Sequence, residues 1–251
     1  MFAETAHAPT HAGTASELLD LWEHVVASTP SERADRLLAA TYEHPPTSLG
    51  AHNAALLDLR ARLFGRAQSL SSRCPSCNAT TEFTIDCTGL AQALLPASSA
   101  SDEQHLEADG YRVDFRMPRV ADVRAVSARA PSDDFAQALL DRCVLRVESE
   151  GGATCTIDDL PDSVAEALSA RMDLLEPGAN VSFDLTCPEC GAQSSIGMDC
   201  GDVLWSELQV NAERLLLDVD ALARAYGWTE PQVLALSATR RAAYLQLIGS
   251  G

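Results

Sequence analysis

Four of the eight cysteines form two Cys-Pro-x-Cys pairs, Cys74/Cys77 and Cys187/Cys190; the others are Cys87, Cys143, Cys155 and Cys200. A Cys-x-x-Cys turn sets two sulfurs on one side of a tight loop. Its proline stiffens the loop, and amides near the second cysteine can donate to thiolates. Two such turns supply four thiolates at about 2.3 Å around a tetrahedral Zn2+. A full shell of four thiolates leaves no position for water, so such an ion is structural rather than catalytic. The sequence therefore predicts one structural zinc per chain on Cys74, Cys77, Cys187 and Cys190.

The pairs belong to a short internal repeat. Residues 74–87 read CPSCNATTEFTIDC and residues 187–200 read CPECGAQSSIGMDC, with six of fourteen positions identical and no gap. Residues 78–186, more than 100 of them, separate the two turns, where an ordinary zinc ribbon has a short loop. A shared ion would staple the two ends of an α/β insertion. Structural zinc contributes on the order of 10–16 kcal/mol in small peptides, comparable with the net stability of a whole domain. Cys87 and Cys200 occupy matched offsets. Adding them would give three thiolates per turn, too many for one tetrahedral ion, so both are read as small apolar residues at a strand end. Cys143 and Cys155 are read as buried or incidental.

Signals for catalysis are missing. The sequence has no Gly-rich phosphate loop, no HExxH and no GxSxG. His7, His11, His24, His44, His52 and His105 have no neighbouring pattern that suggests a triad. His7 and His11 stand four apart but lie in an Ala/Thr-rich stretch read as a solvated tail. Asp133-Asp134 and Asp158-Asp159 precede helix-like runs, where they suit N-terminal caps. A thioredoxin-type CxxC opens a helix after a buried strand. Here strand-like residues follow Cys77 and the motif is duplicated, which disfavours redox catalysis.

Local patterns place these groups. Ser16–Ala27 carries a broad apolar stripe, and Thr29-Pro-Ser-Glu32 opens a helix that reaches about Thr41 before Pro45-Pro46. A third helix spans about Ser48–Phe64 and stops at Gly65. Thr80–Asp86 alternates as a strand, followed by a short helix at Gly89–Leu95 and a polar loop at 97–109. Tyr111–Met117 alternates as a half-exposed strand. Helices are expected at Val120–Arg129, Asp133–Leu145 and Pro161–Leu175, with a hairpin at Val147–Ile157 turning on Gly151-Gly152. Strands at Val181–Leu185 and Ser194–Met198 flank the second cysteine pair. Helical spacing then runs from Val203 to Tyr226, with Gly227 as its stop. Thr229-Glu-Pro-Gln232 makes a capping box, and Ser237 caps a last helix.

Bulk composition bounds the partners. The chain has 251 residues, 46% hydrophobic, with 18 Lys+Arg against 36 Asp+Glu, for a net charge of −18. An acidic body repels phosphate backbones, which argues against nucleic acid. No apolar run approaches the ~18–20 residues of a membrane span. The first residues lack the pattern of a signal peptide, so a reducing, cytoplasmic setting is expected.

Three runs carry a family resemblance: Leu49-Gly-Ala-His-Asn-Ala-Ala-Leu-Leu57 through Phe64-Gly65 to CPSC; Tyr111-Arg-Val-Asp-Phe-Arg-Met-Pro118; and a C-terminal block. That block runs from Asp199 through Leu204-Trp205-Ser-Glu207, then Leu222-Ala-Arg-Ala-Tyr226-Gly-Trp228-Thr-Glu230, Leu234-Ala-Leu236-Ser and Arg240-Arg241-Ala-Ala-Tyr244-Leu245. Together they resemble the T-even-type phage baseplate hub assembly chaperone family, including members in clusters for phage-tail-like contractile injection systems. The resemblance spans most of residues 48–248, and its helical tail is the most specific part. It implies a non-enzymatic role in building a baseplate, with baseplate or tail proteins as partners, and it carries over no catalytic residue.

The expected architecture is α+β and mostly helical. Zinc-ribbon-like paired CPxC knuckles hold a long α/β insertion between helical N- and C-terminal regions. The divisions are a tail at 1–15, helices at 16–72, the first knuckle and strand at 73–90, the insertion at 91–180, the second knuckle at 181–201 and a helical region at 202–251. The functional alternatives are a cytoplasmic thiol oxidoreductase and a zinc-ribbon adaptor. Trp228 and Tyr244 are read either as glue between the tail helices and the body or as interface anchors.

Overall fold

The fold is taken from a computed structural model, described for residues 14–95, 103–128 and 135–249. The expectations for the tail, including His7 and His11, and for Asp133-Asp134 fall outside these residues. Three helices open the described chain: α1 (Ala15–Val25), α2 (Pro30–Thr41) and α3 (Leu49–Phe64). Thr14 and Glu17 form a reciprocal capping box at α1. Glu32 reaches back to accept from the Thr29 backbone N–H at 3.2 Å, and Pro30 fills the first position of α2.

After α3 comes the first hairpin, β1 (Ala67–Arg73) with β2 (Thr80–Asp86), and then α4 (Cys87–Leu94). The insertion follows. It holds β3 (Gln104–Ala108), β4 (Tyr111–Phe115), α5 (Val120–Ser127), α6 (Phe135–Cys143), β5 (Val144–Ser149), β6 (Thr154–Cys155) and α7 (Asp162–Leu175). Its four strands form one antiparallel sheet in the order β3-β4-β5-β6. The second hairpin is β7 (Ser182–Thr186) with β8 (Gln193–Gly197). The chain closes with α8 (Cys200–Tyr226), α9 (Glu230–Leu234) and α10 (Ala238–Gly249). Gly227, at φ 68°, takes the left-handed conformation that ends α8.

Two cores result. The larger joins α1, α2, α3, α4 and the first half of α8 through Val25, Leu37, Leu38, Leu56, Leu204 and Leu208. The smaller lies between the insertion sheet and α7. Val164, Leu168 and Met172, at successive i, i+4 positions, pack on Val113, Phe115 and Val147. Asp122 seals one end of this unit. It accepts from Arg116 at 2.6 and 2.9 Å and from Arg142 at 3.0 Å, joining α5 to α6 and to the residue that follows β4.

The insertion returns to its start at a tight 3-10 turn, Pro177–Ala179. Glu176 accepts from the Gly50 amide at 2.9 Å, and Asn53 donates to the Gly178 carbonyl at 2.9 Å. A Cβ on Gly178 would lie 2.4 Å from the Leu94 carbonyl oxygen and 2.9 Å from the Gly50 Cα. Only glycine permits so close an approach of three backbones.

Several expectations need correction. The 16–72 segment is not purely helical, because β1 occupies Ala67–Arg73 and pairs with β2 along its whole length. The polar loop at 97–109 contains β3, an edge strand held by β4. Cys87 and Cys200 begin helices rather than ending strands: Asp86 and Asp199 cap α4 and α8, accepting from Thr88 at 3.1 Å and from Asp202 at 2.9 Å. The helix expected at Asp133–Leu145 stops at Cys143, where β5 takes over. Asp159 sits in a 3-10 turn and accepts from the Thr156 amide at 3.0 Å, an end-capping role.

Candidate metal centre

The two Cys-Pro-x-Cys turns have one geometry. Cys74 N–H donates to Ala79 O and Asn78 N–H to Cys74 O. In the second turn Cys187 N–H donates to Ala192 O and Gly191 N–H to Cys187 O. Asn78 and Gly191, at φ 60° and 73°, occupy the same left-handed position. Asparagine and glycine are the residues that visit it at least cost.

The hairpins carry these turns to one point. β1/β2 and β7/β8 face each other, and Phe83 meets Phe183 with ring centroids 5.4 Å apart. Neither hairpin contains a fully buried residue. The four cysteines come together beyond the far end of the strands. Cys74 Sγ lies 3.7 Å from Cys190 Sγ, and Cys77 Sγ lies 3.6 Å from Cys187 Sγ. All four sulfurs lie within 4.8 Å of one another. A tetrahedron with metal–sulfur bonds of about 2.3 Å has edges of about 3.8 Å, so the donor set fits one thiophilic divalent ion. Cys74 and Cys187 are buried; Cys77 and Cys190 are exposed. Among the described residues, no other group of three or more His, Cys, Asp or Glu side chains is arranged to hold a metal.

Electrostatics agree with cation binding. Backbone N–H groups of Cys77 and Ser76 point at the Cys74 sulfur and bring its pKa down to about 6. The Ala79 amide favours a thiolate at Cys77, but the neighbouring sulfurs of Cys190 and Cys187 oppose it and hold that thiol up at about 12. Four negative charges this close repel unless a divalent cation lies between them, and a bound metal deprotonates its thiol ligands.

The remaining cysteines stand apart. Cys87 and Cys200 are fully or almost fully buried in the main core, and burial raises both thiols, Cys200 to about 12. Cys143 is buried in the insertion core and raised to about 11, again by burial. Cys155 is half-buried in the β5/β6 hairpin. None belongs to the four-sulfur cluster.

Two buried polar networks had no sequence signal. His52 Nε2 lies 3.1 Å from Asp35 Oδ1, and Asp35 also pairs with Arg124. Burial lowers the His52 pKa more than the Asp199 charge raises it. The ring is thus neutral and donates Nε2–H to an aspartate whose charge Arg124 balances. Arg60 is likewise buried and forms a bidentate pair with Glu207.

Two hairpins on a helical scaffold thus bring four cysteine sulfurs together in a cluster that can hold a metal ion. The chain belongs to the T4 bacteriophage base plate protein family, whose model matches residues 37–205. The match runs from α2 to the second turn of α8 and includes all four clustered cysteines. It ends at Trp205, so the helical tail that carried the most specific part of the resemblance lies outside it. No curated protein and no solved structure matches the chain. No helix among the described residues is long and apolar enough to cross a membrane.

Proposed function

We propose that this chain is a non-enzymatic baseplate assembly protein of a phage tail or a phage-tail-like contractile injection system, acting as a chaperone or a minor component. The family match over residues 37–205 carries this reading. Its partners are baseplate or tail proteins in the cytoplasm, where thiols stay reduced. One structural Zn2+ sits on Cys74, Cys77, Cys187 and Cys190. When bound, the ion supplies cross-linking and no reactive water, because four thiolates complete its shell. The centre ties together the tips of the two hairpins that flank the 91–180 insertion.

Deletion of the gene, followed by electron microscopy of the particles, tests the role. Particles lacking baseplates, restored by the intact gene, are expected. Fully assembled, contracting particles from the deletion strain would overturn it.

A further inference from the structure

The second half of α8, with α9 and α10, differs from the rest of the molecule. Residues 206–249 hold five acidic and four basic side chains, a net −1 of the chain's −18. Five of the nine exposed large apolar residues among those described lie here: Val210, Leu216, Leu217, Tyr226 and Leu247. α10 has no buried residue. It is tied to α8 by the Tyr226–Trp228–Tyr244 ring cluster and by Arg241, which donates to Asp218 at 3.0 Å. This near-neutral helical region extends from a strongly acidic body, and α1 packs along its inner side, with Leu19 against Ala212 and Leu215.

On α8 the buried side is set by Leu208, Ala212, Leu215 and Leu222. Val210 and Leu217 stand seven residues apart on the opposite side, 64% and 70% exposed. Charges on this outer side are opposed about Leu217. Arg214 lies three residues before it and Asp220 three residues after it, both exposed. Arg214 has no carboxylate partner among the described residues, and Asp220 pairs only along its own helix with Arg224.

We infer that the outer face of α8 docks on the same face of a second copy, antiparallel about a two-fold axis at Leu217. A two-fold interface must be self-complementary. Antiparallel pairing sets Leu217 on Leu217 and places each Arg214 opposite Asp220 of the second copy, whereas parallel pairing sets Arg214 on Arg214. The charge distribution selects this occupant. A basic partner would be drawn to the acidic body, and copies meeting through their bodies would repel. Docking through the outer side of α8 leaves α1, which packs on the opposite side at Ala212 and Leu215, away from the seam.

Sedimentation velocity of the full chain over a concentration series tests this. A concentration-dependent dimer is expected, and Leu217→Glu should weaken it at least about tenfold, since the residue is counted twice. Arg214→Asp and Asp220→Arg should each weaken it, and the two together should restore it. Circular dichroism of each variant confirms that the helices are intact. A monomer at every concentration overturns the inference, even if Leu217 proves to bind a different protein. So does a dimer that ignores Leu217→Glu, or a charge swap without rescue. Each of these results leaves the baseplate role, read from particles, separately testable.

Discussion

Arg60 and Glu207 form a bidentate pair at 2.8 and 2.9 Å across 147 residues of sequence, joining α3 to α8. The same guanidinium donates to the carbonyls of Gly65 and Ala67 at 2.6 and 2.7 Å, where the chain leaves α3 for β1. One buried cation therefore fixes the helix pair and aims the first hairpin. Removing one member of such a pair leaves a charge and several acceptors without partners. Arg60→Met is expected to lower stability by roughly 3–5 kcal/mol, read as a shift of the urea unfolding midpoint. Arg60→Met with Glu207→Leu should recover part of the loss, because no uncompensated charge then remains.

The metal centre predicts a hierarchy among the cysteines. Wild-type protein should carry one zinc per chain, measured by elemental analysis against protein concentration. Cys77→Ser and Cys190→Ser each remove a ligand that is exposed and carries little packing. They should lose zinc while keeping the helical spectrum of the main core. Cys87→Ala and Cys200→Ala should keep full zinc and lose only packing, on the order of 1 kcal/mol. Zinc loss in the latter pair would mean that the shell is not the four clustered sulfurs.

The grouping of the four cysteines was legible in the sequence because its information is local and duplicated. Each turn has its own proline, its own second cysteine and a strand-like run after it. The capped starts of α2 and α9 were legible for the same reason, since a capping box is complete within four residues. β1 was not, because Gln68-Ser-Leu-Ser-Ser72 has little β-propensity and becomes a strand only through pairing with β2. β3 is an edge strand in a polar run and depends in the same way on β4. Arg60–Glu207 and His52–Asp35 left no trace, because nothing near either residue in sequence indicates its partner.

Acid should attack the insertion at Asp122. Hydrogen bonds from Arg116, then the Arg119 amide and Arg142, hold its carboxyl well below the usual carboxylate range despite burial. A depressed folded-state pKa gives stability that is fully present above the ordinary value of about 3.9 and is lost progressively as pH falls below it. Asp122→Asn should therefore flatten the acid limb of a stability–pH curve below about pH 4. It should also cost roughly 3–5 kcal/mol at neutral pH, since Arg116 and Arg142 lose their anion.

His52 predicts a second pH dependence, in a higher window. Its folded pKa lies below the unfolded value of about 6.5 because of burial. The unfolded chain therefore takes up the proton first, and stability declines as pH falls from about 6.5 toward the folded pKa. His52→Gln can keep a donor to Asp35 without titrating. In zinc-saturated protein, its stability between about pH 7 and 5 should be flatter than that of wild type. Equal slopes would mean that the imidazole does not carry the effect.

Gly191 offers a test of the repeat itself. It sits in the left-handed region at φ 73°, with no atom within 4 Å of where a Cβ would be. Space is therefore not what restricts it; backbone conformation is. Asn78 holds the equivalent place in the first turn at φ 60°, so Gly191→Asn should fold and retain one zinc with a stability change below about 1 kcal/mol. Gly191→Val forces a β-branched residue into the same conformation, a cost of about 1–2 kcal/mol or more. Because the Gly191 amide closes the turn onto the Cys187 carbonyl, the valine variant should also release zinc faster to a chelator. Equal release rates for the two variants would show that the left-handed residue does not hold Cys187 and Cys190 in ligating position.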